Sequence, residues 1–250
     1  MSYEIVATAD GSNTLFSKEY NQHYHNPDDG AVNESLQKHV IPCLEFHKDK
    51  NELNILDICF GLGYNTLATI YYIKKENLDI KLNIYSPELD EKLINTLKNF
   101  EYPTQFNDIK YIIDTLCENF SYKYDKFNIK ILIGDARKHI KNLENDFFDI
   151  IYQDAFSSEV NIALWSKEYF DEIYRISKNS VIMSTYAIAT PIRLSMYEAN
   201  FQIYEHIPSK RKITLAFKEK QDKIGKYIDM ELKKQRNKEA KAIYDYHIES

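Results

Sequence analysis

Glycine, proline, cysteine and tryptophan are all scarce in this chain of 250 residues, which holds six glycines, six prolines, three cysteines and one tryptophan. Cys43, Cys59 and Cys117 are odd in number and lack paired spacing, so neither a disulfide framework nor a zinc site is indicated. His23 and His25 are the one close histidine pair, with no neighbouring Cys or His to complete a ligand set, and no metal is expected. No Pro/Gly-rich linker, internal repeat or low-complexity tract breaks the chain, which at this length can bury a full core as one main domain. Apolar runs are short too. None approaches the roughly 18 residues needed to span a bilayer, and no basic segment followed by an apolar run opens the chain, so a cytoplasmic protein with no membrane partner is expected.

Against this scarcity, two of the six glycines fall within three residues of each other. Residues 54–66 (NILDICFGLGYNT) run an apolar strand into a tight Gly61-Leu62-Gly63 turn and then into a helical pattern that begins near Tyr64. Glycine lets the backbone take conformations a Cβ would forbid and approach a ligand closely, and the first N–H groups of a helix favour a polar or anionic guest. The third glycine of the dinucleotide fingerprint is absent, which disfavours a pyrophosphate-binding NAD site. Asp57, inside the strand and four residues before Gly61, resembles the first motif of the S-adenosyl-L-methionine (AdoMet)-dependent methyltransferases.

Further acidic landmarks follow, each at the end of an apolar strand. Residues 81–86 read as a second strand ending at Pro87-Glu88, where a carboxylate can accept the hydroxyls of a ribose; residues 129–133 read as a third, ending in Gly134-Asp135-Ala136, with Asp135 placed to bind an adenine amino group; residues 148–153 read as a fourth, delivering Asp154-Ala155-Phe156. Ligands of open α/β sheets bind at strand carboxyl ends. Strands over 180–185, 201–205 and 213–217 bring the total to seven. Helices are expected over 64–75, 89–99, 109–120, 136–143, 164–176 and 191–198. Right-handed crossovers then give a doubly wound sheet, and the last two strands, joined only by a short loop, pair as an antiparallel hairpin. The expected fold class is α/β, a Rossmann-like class I AdoMet-dependent methyltransferase fold with a mostly parallel seven-stranded sheet. Upstream, residues 3–8 and 14–16 suggest a hairpin about Asp10-Gly11, and residues 33–47 a helix interrupted by Pro42; both are expected to cover the cofactor mouth. Three regions follow: 1–52 as that cover, 53–217 as the core, and 218–250 as a charged helical tail. The aromatic-rich stretch 101–127 is longer than a standard crossover, and its rings are expected in the core rather than as base-stacking platforms.

The order of short motifs is more specific than the fold. Tyr24-His25, Gly30-Ala31 with Glu34-Ser35, residues 57–65 (DICFGLGYN), and Asp154-Ala155-Phe156-Ser157 with Asn161 and Leu164-Trp165 together resemble the methyltransferase part of the MnmC family, bacterial enzymes that modify the wobble uridine of tRNA. The likeness covers roughly residues 20–217. It departs at Ser158, Glu159 and Val160, where the family tends to carry a proline and lysines, and at Ile162, where another proline is usual. The family often fuses this domain to a flavin-dependent oxidoreductase; a chain of this length resembles the stand-alone version, with a separate oxidoreductase as a possible upstream partner. The resemblance implies AdoMet as cofactor, held by Asp57, Gly61, Gly63, Tyr64, Asn65, Glu88, Asp135 and Ala136 with Glu34 and Ser35. It also implies tRNA as partner and methyl transfer to the primary amine of 5-aminomethyl-(2-thio)uridine. Asp154 is then the candidate to orient and deprotonate the amine, with Phe156 and Trp165 against the uracil ring.

The net charge of −6 looks wrong for a nucleic-acid partner until it is divided: residues 210–241 hold twelve Lys or Arg against five Asp or Glu. Such a skew suits a phosphate backbone, and Lys210, Arg211 and Lys212, between two expected strands, are the candidate contacts. Two other readings stay open. A polyamine aminopropyltransferase of the spermidine synthase type is suggested by Gly134-Asp135-Ala136-Arg137-Lys138, although the first motif lacks that family's glycine-rich turn. A non-catalytic AdoMet- or RNA-binding module is suggested by the altered loop 158–162.

Overall fold

The computed structural model describes residues 3–248, which form two compact units, 3–136 and 137–248. The first opens with an antiparallel meander of β1 (Tyr3–Ala7), β2 (Asn13–Ser17) and β3 (Gln22–His23), one strand more than the expected hairpin. Gly11 turns at φ 81°, and the Asp10 carboxylate fastens the turn by accepting from Thr8 Oγ1, Ser12 Oγ and the Ser12 and Asn33 N–H groups. A helical run follows: α1 (Ala31–Ser35), a π segment (Leu36–Val40) and α2 (Ile41–Phe46). Pro42 does not interrupt this helix. The α-helical ladder widens just before it instead, and the π turn makes room for a ring that would otherwise crowd the carbonyl four residues back.

Next come β4 (Glu52–Ile58), α3 (Tyr64–Lys75), β5 (Lys81–Glu88), α4 (Glu91–Thr96), α5 (Lys110–Asn119), β6 (Ser121–Tyr124) and β7 (Phe127–Ile133). These strands run in the order β4, β5, β7, β6, with the first three parallel and β6 an antiparallel edge turned at Asp125. Leu53, Ile55, Leu56 and Ile58 of β4 are all buried, as a parallel strand covered on both faces requires. A ladder of amides fixes the register: Asn83 Nδ2 donates to Asn54 Oδ1 (2.9 Å) and Asn128 Nδ2 to Asn83 Oδ1 (3.1 Å), each pair directly opposite across the strands. A slip of one residue would break both bonds and turn each apolar set to the other face. Of the stretch 101–127, Phe106 and Tyr122 are buried as expected, whereas Tyr111 and Tyr124 are exposed.

After α6 (Ala136–Lys141), the second unit contains β8 (Phe148–Gln153), α7 (Lys167–Ile176), β9 (Ser177–Thr185), α8 (Thr190–Glu198), β10 (Gln202–His206), β11 (Ile213–Phe217), β12 (Lys226–Tyr227) and α9 (Met230–Arg236). β8 and β9 are parallel, β11 pairs antiparallel with β9, and β10 and β11 form the expected hairpin, to which β12 adds a short edge. The seven expected strands are thus all present, and β6 and β12 are additions. α7 begins three residues later than expected because Ser166 caps it, accepting from the Tyr169 N–H. Its Tyr169, Phe170, Ile173 and Ile176 are buried at helical spacing, each contributing about 1.5–3 kcal/mol. The tail is not the helix anticipated. α9 has seven residues, and Asn237 after it, at φ −134° and ψ 84°, has left the helical conformation. The chain continues extended and docks instead: the Ile243 N–H donates to Ser195 Oγ, its carbonyl accepts from the Lys167 N–H, and Arg137 grips Asp245 with two parallel bonds of 2.7 and 2.5 Å.

Candidate active site

The turn after β4 holds three left-handed residues in five: Cys59 (φ 66°), Gly61 (φ 55°) and Gly63 (φ 73°). A Cβ on Gly63 would lie 2.8 Å from Phe60 Cζ and 3.0 Å from Ile113 Cδ1, and one on Gly61 would lie 3.2 Å from the Tyr24 ring. The glycines therefore serve both conformation and close approach. Cys59 was missed, because no residue type announces a left-handed cysteine; the pull of its neighbours sets it.

Glu88, at the end of β5, ties this corner together. Its carboxylate accepts from the N–H groups of Gly61 and Asp90, each at 2.8 Å, while its own carbonyl accepts from the Gly134 N–H at the end of β7. Burial pushes the Glu88 carboxyl above the usual range, and those backbone donors pull it back in part. Asp57 is buried and braces the start of α3, accepting from Asn65 Nδ2 (3.2 Å) and Thr66 Oγ1 (3.1 Å). These contacts make Asp57 and the Asn65 side chain supports of the turn. Tyr64 is corrected more sharply. Its side chain is fully buried and donates to the Asn13 carbonyl at 2.7 Å, fastening the meander to α3, so only its backbone N–H can meet a ligand. Asp135 is exposed at the end of β7, and Ala136 beside it is buried.

The meander covers the corner: Tyr24 packs on Gly61, and the Tyr3 hydroxyl bonds to Asp90. Beneath it, Glu34 accepts from Lys38 Nζ (2.5 Å) and the Asn26 N–H (2.8 Å) and lies 3.5 Å from His25 Nδ1, with Asp29 the second partner of Lys38. Burial alone would raise the Glu34 carboxyl, but the His25 and Lys38 contacts outweigh it and hold it at about 2. Glu34 is thus committed to holding the cover in place. The buried Ser35 hydroxyl has no hydrogen-bond partner among the described residues.

In the second unit, the carboxyl end of β8 carries Asp154, half-buried, on a loop held by side chains. Tyr186 donates to the Ala155 carbonyl (2.8 Å), Trp165 Nε1 to the Phe156 carbonyl (2.7 Å), and Gln153, fully buried, bridges the Leu164 carbonyl and the Tyr169 hydroxyl (2.9 and 2.7 Å). Trp165 is 0% exposed, so it cannot stack on a base; it positions Phe156, which is itself partly exposed. Gln153, Tyr169 and Tyr186 were missed, since nothing in their local sequence marks them. Lys210, Arg211 and Lys212 lie exposed in the β10–β11 turn, with Lys212 paired to Glu205 at 2.9 Å. Among the described residues no cluster of His, Cys, Asp or Glu could hold a metal, and no helix is long and apolar enough to cross a membrane.

Residues 73–219 match the family described as S-adenosyl-L-methionine-dependent methyltransferase. The chain is 29% identical to the uncharacterized protein MJ0670 of Methanocaldococcus jannaschii, over 86% of this chain and 59% of that protein. It is 22% identical to the tRNA 5-methylaminomethyl-2-thiouridine biosynthesis bifunctional protein MnmC of Pseudoalteromonas atlantica, over 80% of this chain and 31% of that one. The chain therefore spans less than two thirds of either relative. The crystal structure of MNMC2 from Aquifex aeolicus superimposes with a TM-score of 0.85 at 29% identity, covering 100% of this chain and 81% of that one. The match covers more than half of the sequence and includes the end of α3, Glu88, Asp135 and Asp154: this chain belongs to the S-adenosyl-L-methionine-dependent methyltransferases, and S-adenosyl-L-methionine is its cofactor.

Proposed function

We propose that this enzyme methylates the primary amine of 5-aminomethyl-(2-thio)uridine at the tRNA wobble position, giving 5-methylaminomethyl-(2-thio)uridine. The observation that carries the reading is the Asp154-Ala155-Phe156-Ser157 loop, whose two middle carbonyls are pinned by Tyr186 and Trp165 so that one acid and one aromatic ring stand at a strand end. The similarity to MnmC proteins over most of this chain supports it.

The corner of the first unit fits the cofactor. The turn has no Cβ at positions 61 and 63, the first N–H groups of α3 lie outside the helical ladder, and the Glu88 carboxylate, with about four acceptor positions, has room for a ribose hydroxyl beside its backbone donors. Asp135 would take the adenine amino group. The cofactor supplies a methyl on a sulfonium, which is a good leaving group. What the protein must supply is a neutral, aimed nitrogen, because an alkyl ammonium has no lone pair. Asp154 would accept the amine's hydrogen bond and, as the N–C bond forms, its proton. Phe156 would flank the ring, and positioning would provide much of the acceleration.

The test is nucleoside mass spectrometry of tRNA bearing the aminomethyl group after incubation with enzyme and cofactor. A gain of one methyl on the wobble nucleoside is expected. Turnover of putrescine with decarboxylated AdoMet, without tRNA methylation, would replace this reading by an aminopropyltransferase.

A further inference from the structure

A cavity of about 410 Å³ lies in the second unit, away from the Asp154 loop in sequence and built from α8, β10, β12 and α9. Its buried member is Arg193, 3% exposed, which lines it together with Glu205, Lys226, Tyr227, Lys233 and Arg236. The guanidinium is only partly satisfied. Nε donates to Thr214 Oγ1 at 2.9 Å and Nη1 lies 3.6 Å from Glu205 Oε2, but Nη2 is buried and has no hydrogen-bond partner among the described residues. The other oxygen of Glu205 meets Lys212 at 2.9 Å, so this one carboxylate is shared between two cations. The remaining acid at the rim, Asp229, spends its carboxylate capping α9 through the Leu232 N–H.

An unmatched donor on a buried cation is costly, on the order of 1–3 kcal/mol or more, and is tolerated where a ligand completes it. Burial weakens the hold of Arg193 on its proton, and Glu205 opposes that effect. Among the described residues Lys226, Lys233 and Arg236 have no carboxylate partner within ion-pair distance, so the cavity is lined by four positive charges against two negative ones. Arginine presents a planar fork that suits phosphate oxygens, while lysines supply point charge around it.

We propose that this cavity is a phosphate site that takes one backbone phosphodiester of the RNA substrate, with the Arg193 side chain as the buried cation of its wall and Lys226, Lys233 and Arg236 as its rim. The source of the phosphate rests on the tRNA reading above; the oxyanion site does not. It also gives the basic C-terminal region a structural role that an exposed turn alone would not.

The experiment is fluorescence anisotropy of labelled tRNA binding as a function of salt, with inorganic phosphate as competitor, on the wild type, on Lys233→Glu/Arg236→Glu, whose side chains lie at the rim, and on Arg193→Lys, which keeps the charge and loses the fork. AdoMet binding serves as the control for folding. The double variant should bind tRNA at least tenfold more weakly, with a salt slope reduced by roughly two units and AdoMet affinity unchanged; Arg193→Lys should lose several-fold, and millimolar phosphate should compete in the wild type alone. Unchanged tRNA affinity in both variants overturns the proposal, and phosphate binding that the variants abolish without any change in tRNA affinity overturns the RNA source by making this a site for a free phosphate. Methylation followed in the same samples separates the two readings. Wild-type methylation with insensitive variants sinks the cavity alone, whereas variant-sensitive tRNA binding without methylation sinks the function and leaves the cavity.

Discussion

The cofactor corner and the acceptor loop solve the same problem by opposite means. After β4 the backbone shapes itself: residues 59, 61 and 63 are left-handed, and the Gly61 N–H goes to Glu88. After β8 the backbone is held from outside: the carbonyls of Ala155 and Phe156 accept from Tyr186 and Trp165, which stand 31 and 9 positions away. The first region depends on which residue occupies a position, and the second on which residues reach it. Damage should therefore be abrupt in the corner and graded in the loop.

The corner gives the largest expected effect. Gly63→Val places a β-branched residue at φ 73° and drives its Cβ into Phe60 and Ile113. The left-handed conformation and the overpacking together should destabilise the protein by about 2–5 kcal/mol, and AdoMet binding should fall with it. Thermal unfolding and calorimetry check both, and an unchanged melting temperature would show that the turn can relax, erasing the contrast. Next comes Asp154→Asn, which keeps the shape and removes the carboxylate proposed as the base. AdoMet affinity should hold within a few fold while the single-turnover rate falls by on the order of 10²-fold or more. Equal losses in both would make Asp154 a cofactor ligand instead.

This contrast also governs how much could be read from the chain before its structure. The bounds of α3, β8 and β11 follow from apolar runs closed by glycine, acid or a charged loop, and they are found where expected. Glu88 and Asp135 were legible because strand ends are local. The loop's supports were not: Gln153 reads as the polar end of a strand and Tyr186 as a residue after one, and only the fold brings them to their partners. Arg193 looked like any polar residue in a helix until burial left its Nη2 without an acceptor. The tail was misread as helix because helix-forming residues such as Lys, Glu and Ala favour one, while the docking of Ile243 and Asp245 decides its course.

The cover over the corner makes a pH-dependent prediction. Glu34 is held at about 2, below the ordinary 4.5, so its contribution is present above about pH 4.5 and is lost as the pH falls towards 2. Its side chain is 12% exposed, and a shift of this size corresponds to about 3 kcal/mol. Wild-type stability should decline through that window and Glu34→Gln should decline less, from a lower plateau; parallel acid-unfolding curves would remove Glu34 from the account.

The smallest effect sharpens the comparison most. Tyr186→Phe deletes one hydroxyl, and with it the bond to the Ala155 carbonyl, and leaves the ring that meets Trp165 edge-on. Stability should fall by about 1 kcal/mol, the scale of a single neutral hydrogen bond. The effect on rate should be larger in proportion. Freed on one side, the peptide next to Asp154 can drift, and displacement of a catalytic group by a fraction of an ångström is enough to slow transfer several-fold to about tenfold without touching AdoMet affinity. Trp165→Phe should behave alike through the Phe156 carbonyl, at a greater cost in packing. If either variant lowers AdoMet affinity and rate together, the acceptor loop is not a separately held element. If neither changes the rate, the pins stabilise the fold but do not position Asp154.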